Sequence, residues 1–119
     1  MREYFDILLS DDVEKFLDKI DEKSRDKIIY NIDKAKYSLD PNIFKKLTKE
    51  IWEFRTKYRS TQYRLLAFWD RRDNRDTLVI ATNGFIKKTQ KTPKSEIDRA
   101  VKIREFYLKK INSHGNKRY

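Results

Sequence analysis

The apolar residues of this chain change their spacing twice, and those changes dictate how its 119 residues can pack. Val13, Phe16, Leu17 and Ile20, and then Ile28, Ile29, Ile32, Ala35 and Leu39, recur at three- and four-residue steps. Such steps line up on one side of an α-helix. From Ile51 the spacing becomes alternation: Trp52 and Phe54 fall on one side of a strand, and Glu53, Arg55 and Lys57 on the other. Gln62 to Trp69 forms a second strand and Asp76 to Phe85 a third, joined by the polar run Asp70 to Asp76. Helical spacing then returns through Ile97, Ala100, Val101, Leu108 and Ile111.

Local signals punctuate these runs. Tyr4 to Leu8 suits a short leading strand. Asp11 with Glu14 reads as a capping box for the first helix, and Ser24 as the cap of the second. Asp40-Pro41-Asn42 breaks the chain before the strands. Thr92 suits the N-cap of the last helix, with Pro93 at the first helical position, where its missing N–H costs nothing. Residues 112–119 read as a frayed basic tail. The expected fold is α+β, a single domain over 1–119. An N-terminal helical hairpin is followed by a small antiparallel or mixed sheet of three to five strands and a C-terminal helix. Helices would cover one sheet face and leave the other open.

The net charge is +10, and it is segregated. Residues 1–44 carry eight Lys/Arg against eleven Asp/Glu, a balance of −3. Residues 45–94 carry fourteen against five, or +9, and residues 95–119 seven against three, or +4. Solubility alone does not require sorting by sign, whereas a focused positive field attracts polyanions. Nucleic acid is therefore the expected partner class.

Several chemistries are excluded by what the chain lacks. It has no cysteine, hence no disulfide and no thiolate metal site, which suits a reducing cytoplasm. His114, the single histidine, lies in the tail, which argues against a histidine triad or a histidine metal site. The carboxylates are scattered without metal-ligand spacing, and Gly84 stands outside any glycine-rich phosphate loop. No cofactor or metal is expected. The early acids, Glu3 and Asp6, do not suit a secretory signal, and no apolar run is long enough to span a membrane.

What remains is cationic. Arg55 and Arg64 sit on successive strands, and Lys87 and Lys88 follow the third. Antiparallel pairing can gather them around one phosphate. Such groups can align a ribose 2′-hydroxyl with its phosphodiester and neutralise charge growing on the phosphorane without metal. Arginine grips phosphate bidentately, and a crowded lysine can lose its proton. Strand arginines can equally serve only to solubilise a sheet face, and composition alone supports no more than polyanion binding.

Three segments are more specific. Lys46-Leu47-Thr48-Lys49-Glu50-Ile51-Trp52-Glu53-Phe54-Arg55, Tyr63-Arg64-Leu65-Leu66 and the run from Gly84 through Lys87-Lys88-Thr89-Gln90-Lys91 to Thr92-Pro93 resemble the phage-derived HigB-like branch of the RelE/ParE toxin superfamily. Glu50, Ala67 and Asn83 depart from that pattern, where glycine, an aromatic and histidine are usual. The resemblance implies the toxin of a type II toxin–antitoxin pair, a metal-independent endoribonuclease that cuts messenger RNA on the ribosome. Its implied partners are the ribosome, messenger RNA and a cognate HigA-like helix-turn-helix antitoxin. It also implies roles: Arg64 as main phosphate clamp with Arg55 beside it, Lys87 or Lys88 in proton transfer, and Glu53 orienting an arginine or acting as base. Lys57, Arg59, Thr89, Gln90 and Lys91 would bind RNA, and Tyr107 and Tyr119 are further candidates by residue type. A ParE-like inhibitor of DNA gyrase, or a passive nucleic-acid or ribosome binder, would share the fold without needing catalytic cations.

Overall fold

A computed structural model describes residues 3–72 and 78–113. The elements run β1 (Asp6–Leu9), α1 (Asp11–Lys19), α2 (Glu22–Ser38), β2 (Phe44–Lys46), β3 (Trp52–Tyr58), β4 (Thr61–Asp70), β5 (Leu78–Ile86) and α3 (Lys94–Ser113). One sheet takes the order β1-β5-β4-β3-β2. Its pairs are antiparallel except β1 with β5, so the sheet is mixed and five-stranded.

Both N-terminal helices start with a side-chain cap, each on a different residue from the one the sequence suggests. The Ser10 hydroxyl accepts from the Val13 N–H at 3.1 Å and donates to the Thr82 carbonyl at 2.7 Å. The cap therefore precedes the Asp11/Glu14 pair and also ties α1 to β5. Asp21 caps α2, accepting from both the N–H and the hydroxyl of Ser24. Ser24 is thus the capped partner within the helix. Leu39 closes α2 in the left-handed region, with φ of 50°, and neither it nor Ile29 joins the buried stripe.

The alternation of β3 and β4 sorts two cores. On one face Trp52, Phe54, Tyr63, Leu65 and Ala67 pack against Val13, Leu17, Ile28, Ile32 and Ala35 of the helical hairpin. Phe5, Phe44 and Phe54 cluster there, the last two stacked with centroids 4.2 Å apart. Each such pair contributes about 0.5–1.5 kcal/mol beyond the area it buries. On the other face Ile51, Leu66, Phe68, Ile80 and Phe85 pack against Ala100 of α3, with Val101 and Leu108 beside it. That second layer corrects the expectation of a wholly open face. Solvent reaches this face where it carries Arg55 and Lys87.

A β-bulge in β5 decides which side chains reach that opening. Leu66 pairs with Asn83 but Ala67 pairs with Ala81, so Thr82 is the extra residue, and its hydroxyl donates to the Leu66 carbonyl. Val79 and Ala81 face the hairpin, whereas Phe85 shares the α3 face with Ile80, five residues away. Plain alternation would have put Phe85 on the hairpin side. The neighbouring Gly84 faces α1, where a Cβ would come within 2.5 Å of the Phe16 ring.

The last helix also departs from its expected start and end. The Pro93 carbonyl accepts from Glu96 and Ile97, so Pro93 holds the cap position, and the Thr92 hydroxyl points elsewhere. Asn83, buried in β5, donates to the carbonyl and carboxylate of Glu96. At the other end Arg72 holds Asp70 with two guanidinium nitrogens and donates to the Leu108 carbonyl. The helix runs to Ser113, so Asn112 and Ser113 belong to it, while His114 and Tyr119 lie outside the described residues. The expected start of the third strand, Asp76, lies outside them too, and the described strand begins at Leu78. No described helix is long and apolar enough to cross a membrane.

Candidate active site

β3 and β4 are joined at Arg59 and Ser60, and this tight turn sets their register. Arg59 takes a φ of 56°, the positive value that two-residue hairpin turns place at their first central residue. Arg55 then falls directly opposite Arg64. Like charges directly across a strand pair repel, so this pairing needs compensation. Glu53 provides it. Its Oε1 accepts from the Arg55 Nε at 3.1 Å and lies 3.6 Å from the Arg64 Nε. Its Oε2 accepts from the Thr92 hydroxyl, which ties β3 to the segment leading into α3. Glu53 is 1% exposed, and both of its oxygens are engaged. Such a carboxylate orients arginines and is poorly placed to act as a free base.

The two arginines differ in access. Arg64 is 6% exposed, and its terminal nitrogens donate to the Tyr63 carbonyl and the Gln62 side chain at 3.1 and 2.8 Å. Burial lowers its pKa first of all, Glu53 works against that, and Arg55 adds to it. The sequence points to Arg64 as the main clamp, but the fold holds it behind the surface as a fixed charge. The Arg55 side chain is 32% exposed and is the arginine a ligand meets.

Lys87 joins them because the bulge turns it to this face. Its N–H donates to the Gln62 carbonyl, continuing the β4–β5 pairing past the end of β5. Burial and then the Arg64 charge hold the Lys87 ammonium below the ordinary lysine range, against the pull of Glu53. Lys88, Thr89 and Gln90 line an open groove of about 400 Å³ together with Gln62 and Lys87. The Thr89 hydroxyl donates to the Lys91 carbonyl, folding the segment back on itself. Lys57 pairs with Gln62 on the same face. Arg59 does not join them: it stacks on Tyr58 and acts on Asp21 at the start of α2. Tyr107 packs edge-on against Phe68 under α3, with Arg72 over its ring, away from the arginine pair.

Two residues were missed in the sequence. Thr92 reads there as a helix cap, and only the three-dimensional path shows that it serves Glu53. Lys45 lies directly opposite Glu53 in the β2–β3 pair, and its charge acts on Lys87. Lys45 and Lys46 end an unforeseen three-residue strand, too short for an alternation that would assign a face. Among the described residues no group of three or more His, Cys, Asp or Glu is gathered to hold a metal ion.

A sheet carrying cations from three strands on one partly open face, backed by a helical hairpin, has known relatives. Residues 15–105 match the family model described as phage-derived protein Gp49-like (DUF891). The chain belongs to this Gp49-like family. Its fold is that of the RelE toxins: the free E. coli toxin RelE, solved with two arginine-to-alanine substitutions, superposes with a TM-score of 0.56 at 20% identity. That superposition covers 84% of this chain and 96% of the toxin. An archaeal RelE–RelB complex from Pyrococcus horikoshii matches at a TM-score of 0.49 and 14% identity, over 75% of this chain and 99% of the matched one. No match emerged among the curated proteins.

Proposed function

We propose that this Gp49-like chain is the toxin of a toxin–antitoxin pair, an endoribonuclease that cuts messenger RNA on the ribosome. The observation that carries this reading is the convergence of Arg55, Arg64 and Lys87 around the buried carboxylate of Glu53. Lys87, whose ammonium burial and the Arg64 charge hold below the ordinary lysine range, is the cluster's candidate for proton transfer.

In the reaction, the ribose 2′-oxygen attacks the adjacent phosphorus while the bond to the 5′-oxygen breaks, leaving a 2′,3′-cyclic phosphate and a free 5′-hydroxyl. Arg55 hydrogen-bonds the non-bridging oxygens, and Arg64 stabilises the growing negative charge from behind the surface. Lys87 accepts the 2′-proton once its own ammonium has released one. Lys88, exposed at the groove, faces the side on which the 5′-oxygen gains one. Glu53 keeps the arginines in register. The cognate partner is a helix-turn-helix antitoxin that covers the +9 middle segment with acidic residues.

Mapping of cut sites on translated messages in growth-arrested cells tests this reading. Wild type should produce cuts, and Arg55→Ala and Lys87→Gln should each lower them at least a hundredfold, on the scale of losing one transition-state donor. Arg55 suits this test better than Arg64, whose removal would also open the interior. Growth arrest by either variant without RNA cuts would favour gyrase inhibition and overturn the nuclease reading.

A further inference from the structure

Lys45 is an exposed lysine on an edge strand whose side is set by pairing rather than by chance. In β2, Phe44 pairs with Phe54 and belongs to the hairpin core, Lys45 pairs with Glu53, and Lys46 pairs with Trp52. Side chains of directly paired residues share a face, so Lys45 projects on the Glu53–Arg55 side and Lys46 on the opposite one. Lys45 and Lys87 have no ion-pair partner among the described residues, whereas Arg55 and Arg64 share Glu53. Four cations thus answer to one carboxylate, and their repulsion is felt within the cluster: Lys45 adds to the charges that depress the Lys87 ammonium.

The four lie in sequence across the sheet, from the residue following β5 through β4 and β3 to β2. Neighbouring strands are about 4.8 Å apart, so the backbones carrying them span roughly 14 Å across the sheet, and Lys45 and Lys87 are each displaced two residues along it, in opposite directions, from the Arg55–Arg64 pair. That is more than one phosphate can bridge. We propose that Lys45, beyond Arg55 at the β2 edge, forms a second phosphate subsite, which holds the phosphodiester next to the reacting one. A single RNA strand then crosses the sheet from the 87–91 segment to the β2 edge. The inference rests on the nuclease reading for which phosphate reacts, but the subsite itself is a binding claim.

Binding of a 2′-O-methyl oligoribonucleotide, whose blocked 2′-oxygen prevents cleavage, tests it through salt dependence. Lys45→Gln should reduce the slope of log K against log salt by about 0.7, the value for one lost phosphate contact on a single strand. Lys46→Gln makes the same change in net charge one residue away on the other face and should leave the slope as in wild type. A methylphosphonate at the phosphate flanking the blocked one should weaken wild type and leave Lys45→Gln unaffected. Equal effects of the two lysine substitutions, or no salt-dependent binding by wild type, would overturn the subsite. Cut-site mapping with wild type is read separately. A protein that shows the lysine asymmetry but cuts no message keeps the subsite and loses the nuclease reading.

Discussion

Glu53 holds opposing arginines on paired strands at one carboxylate, and it does so inside the protein. Removing one partner of a buried ion pair leaves uncompensated charge, which costs about 3–5 kcal/mol. Glu53→Gln keeps the shape and the capacity to accept from Thr92 but removes the countercharge. It should lower unfolding stability by about 3 kcal/mol, measured as the urea midpoint with an unchanged slope. It should also reduce cleavage, because Arg55 would lose its direction. Stability unchanged within 0.5 kcal/mol would mean that water screens the arginines from one another. At this scale the sequence was readable in part. Alternation put Glu53 and Arg55 on one side and Trp52 and Phe54 on the other, and the structure agrees. That Arg55 rather than Arg64 is the exposed arginine was not readable, since exposure depends on neighbours: the Gln62 side chain and the Tyr63 carbonyl both engage the Arg64 guanidinium.

Among elements, α3 is held at both ends by polar contacts, and the one near its C-terminal end depends on an ionised carboxylate. Asp70 at the end of β4 takes two guanidinium nitrogens of Arg72, and Arg72 in turn donates to the Leu108 carbonyl. Burial pushes the Asp70 carboxyl up, but the hydrogen bonds and charge of Arg72 outweigh it, and the net pKa lies below the ordinary value. A carboxylate with a depressed folded pKa contributes stability that is present above the unfolded value, about 3.9, and is lost as pH falls through the folded value. Asp70→Asn should therefore destabilise by about 2 kcal/mol at pH 7. The difference from wild type should close as both are acidified below that range, read as urea midpoints at each pH. A constant gap across pH would assign the contact to shape rather than charge. The hairpin, strands β3 and β4 and the last helix were legible because their periodicity is long. Strand β2 and the true caps, Ser10 and Asp21, were not: three residues carry no period, and acids and serines crowd both helix starts.

Over the whole molecule the cations are concentrated rather than spread. The helical hairpin, with a balance of −2 in α1 and +2 in α2, lies behind one sheet face, and the Arg55, Arg64 and Lys87 cluster on the other. Position should therefore outweigh total charge in RNA association. Replacing exposed Asp26 and Asp33 of α2 by Lys makes the chain more basic, yet the association rate at 0.1 M salt should change less than with Lys45→Glu and Lys87→Glu, compared by stopped flow. Comparable changes from both pairs would show that only net charge steers. The concentration of positive charge in residues 45–94 was visible in the linear chain, but the side of the sheet that its cluster occupies was not. Inheritance puts a different demand on the bulge at Thr82. A one-residue insertion or deletion between Ile80 and Lys87 would exchange the sides served by every later residue of the strand, leaving each amino acid intact but aimed the wrong way. Descendants that keep this arrangement are free to vary what fills that stretch, but they must keep its count.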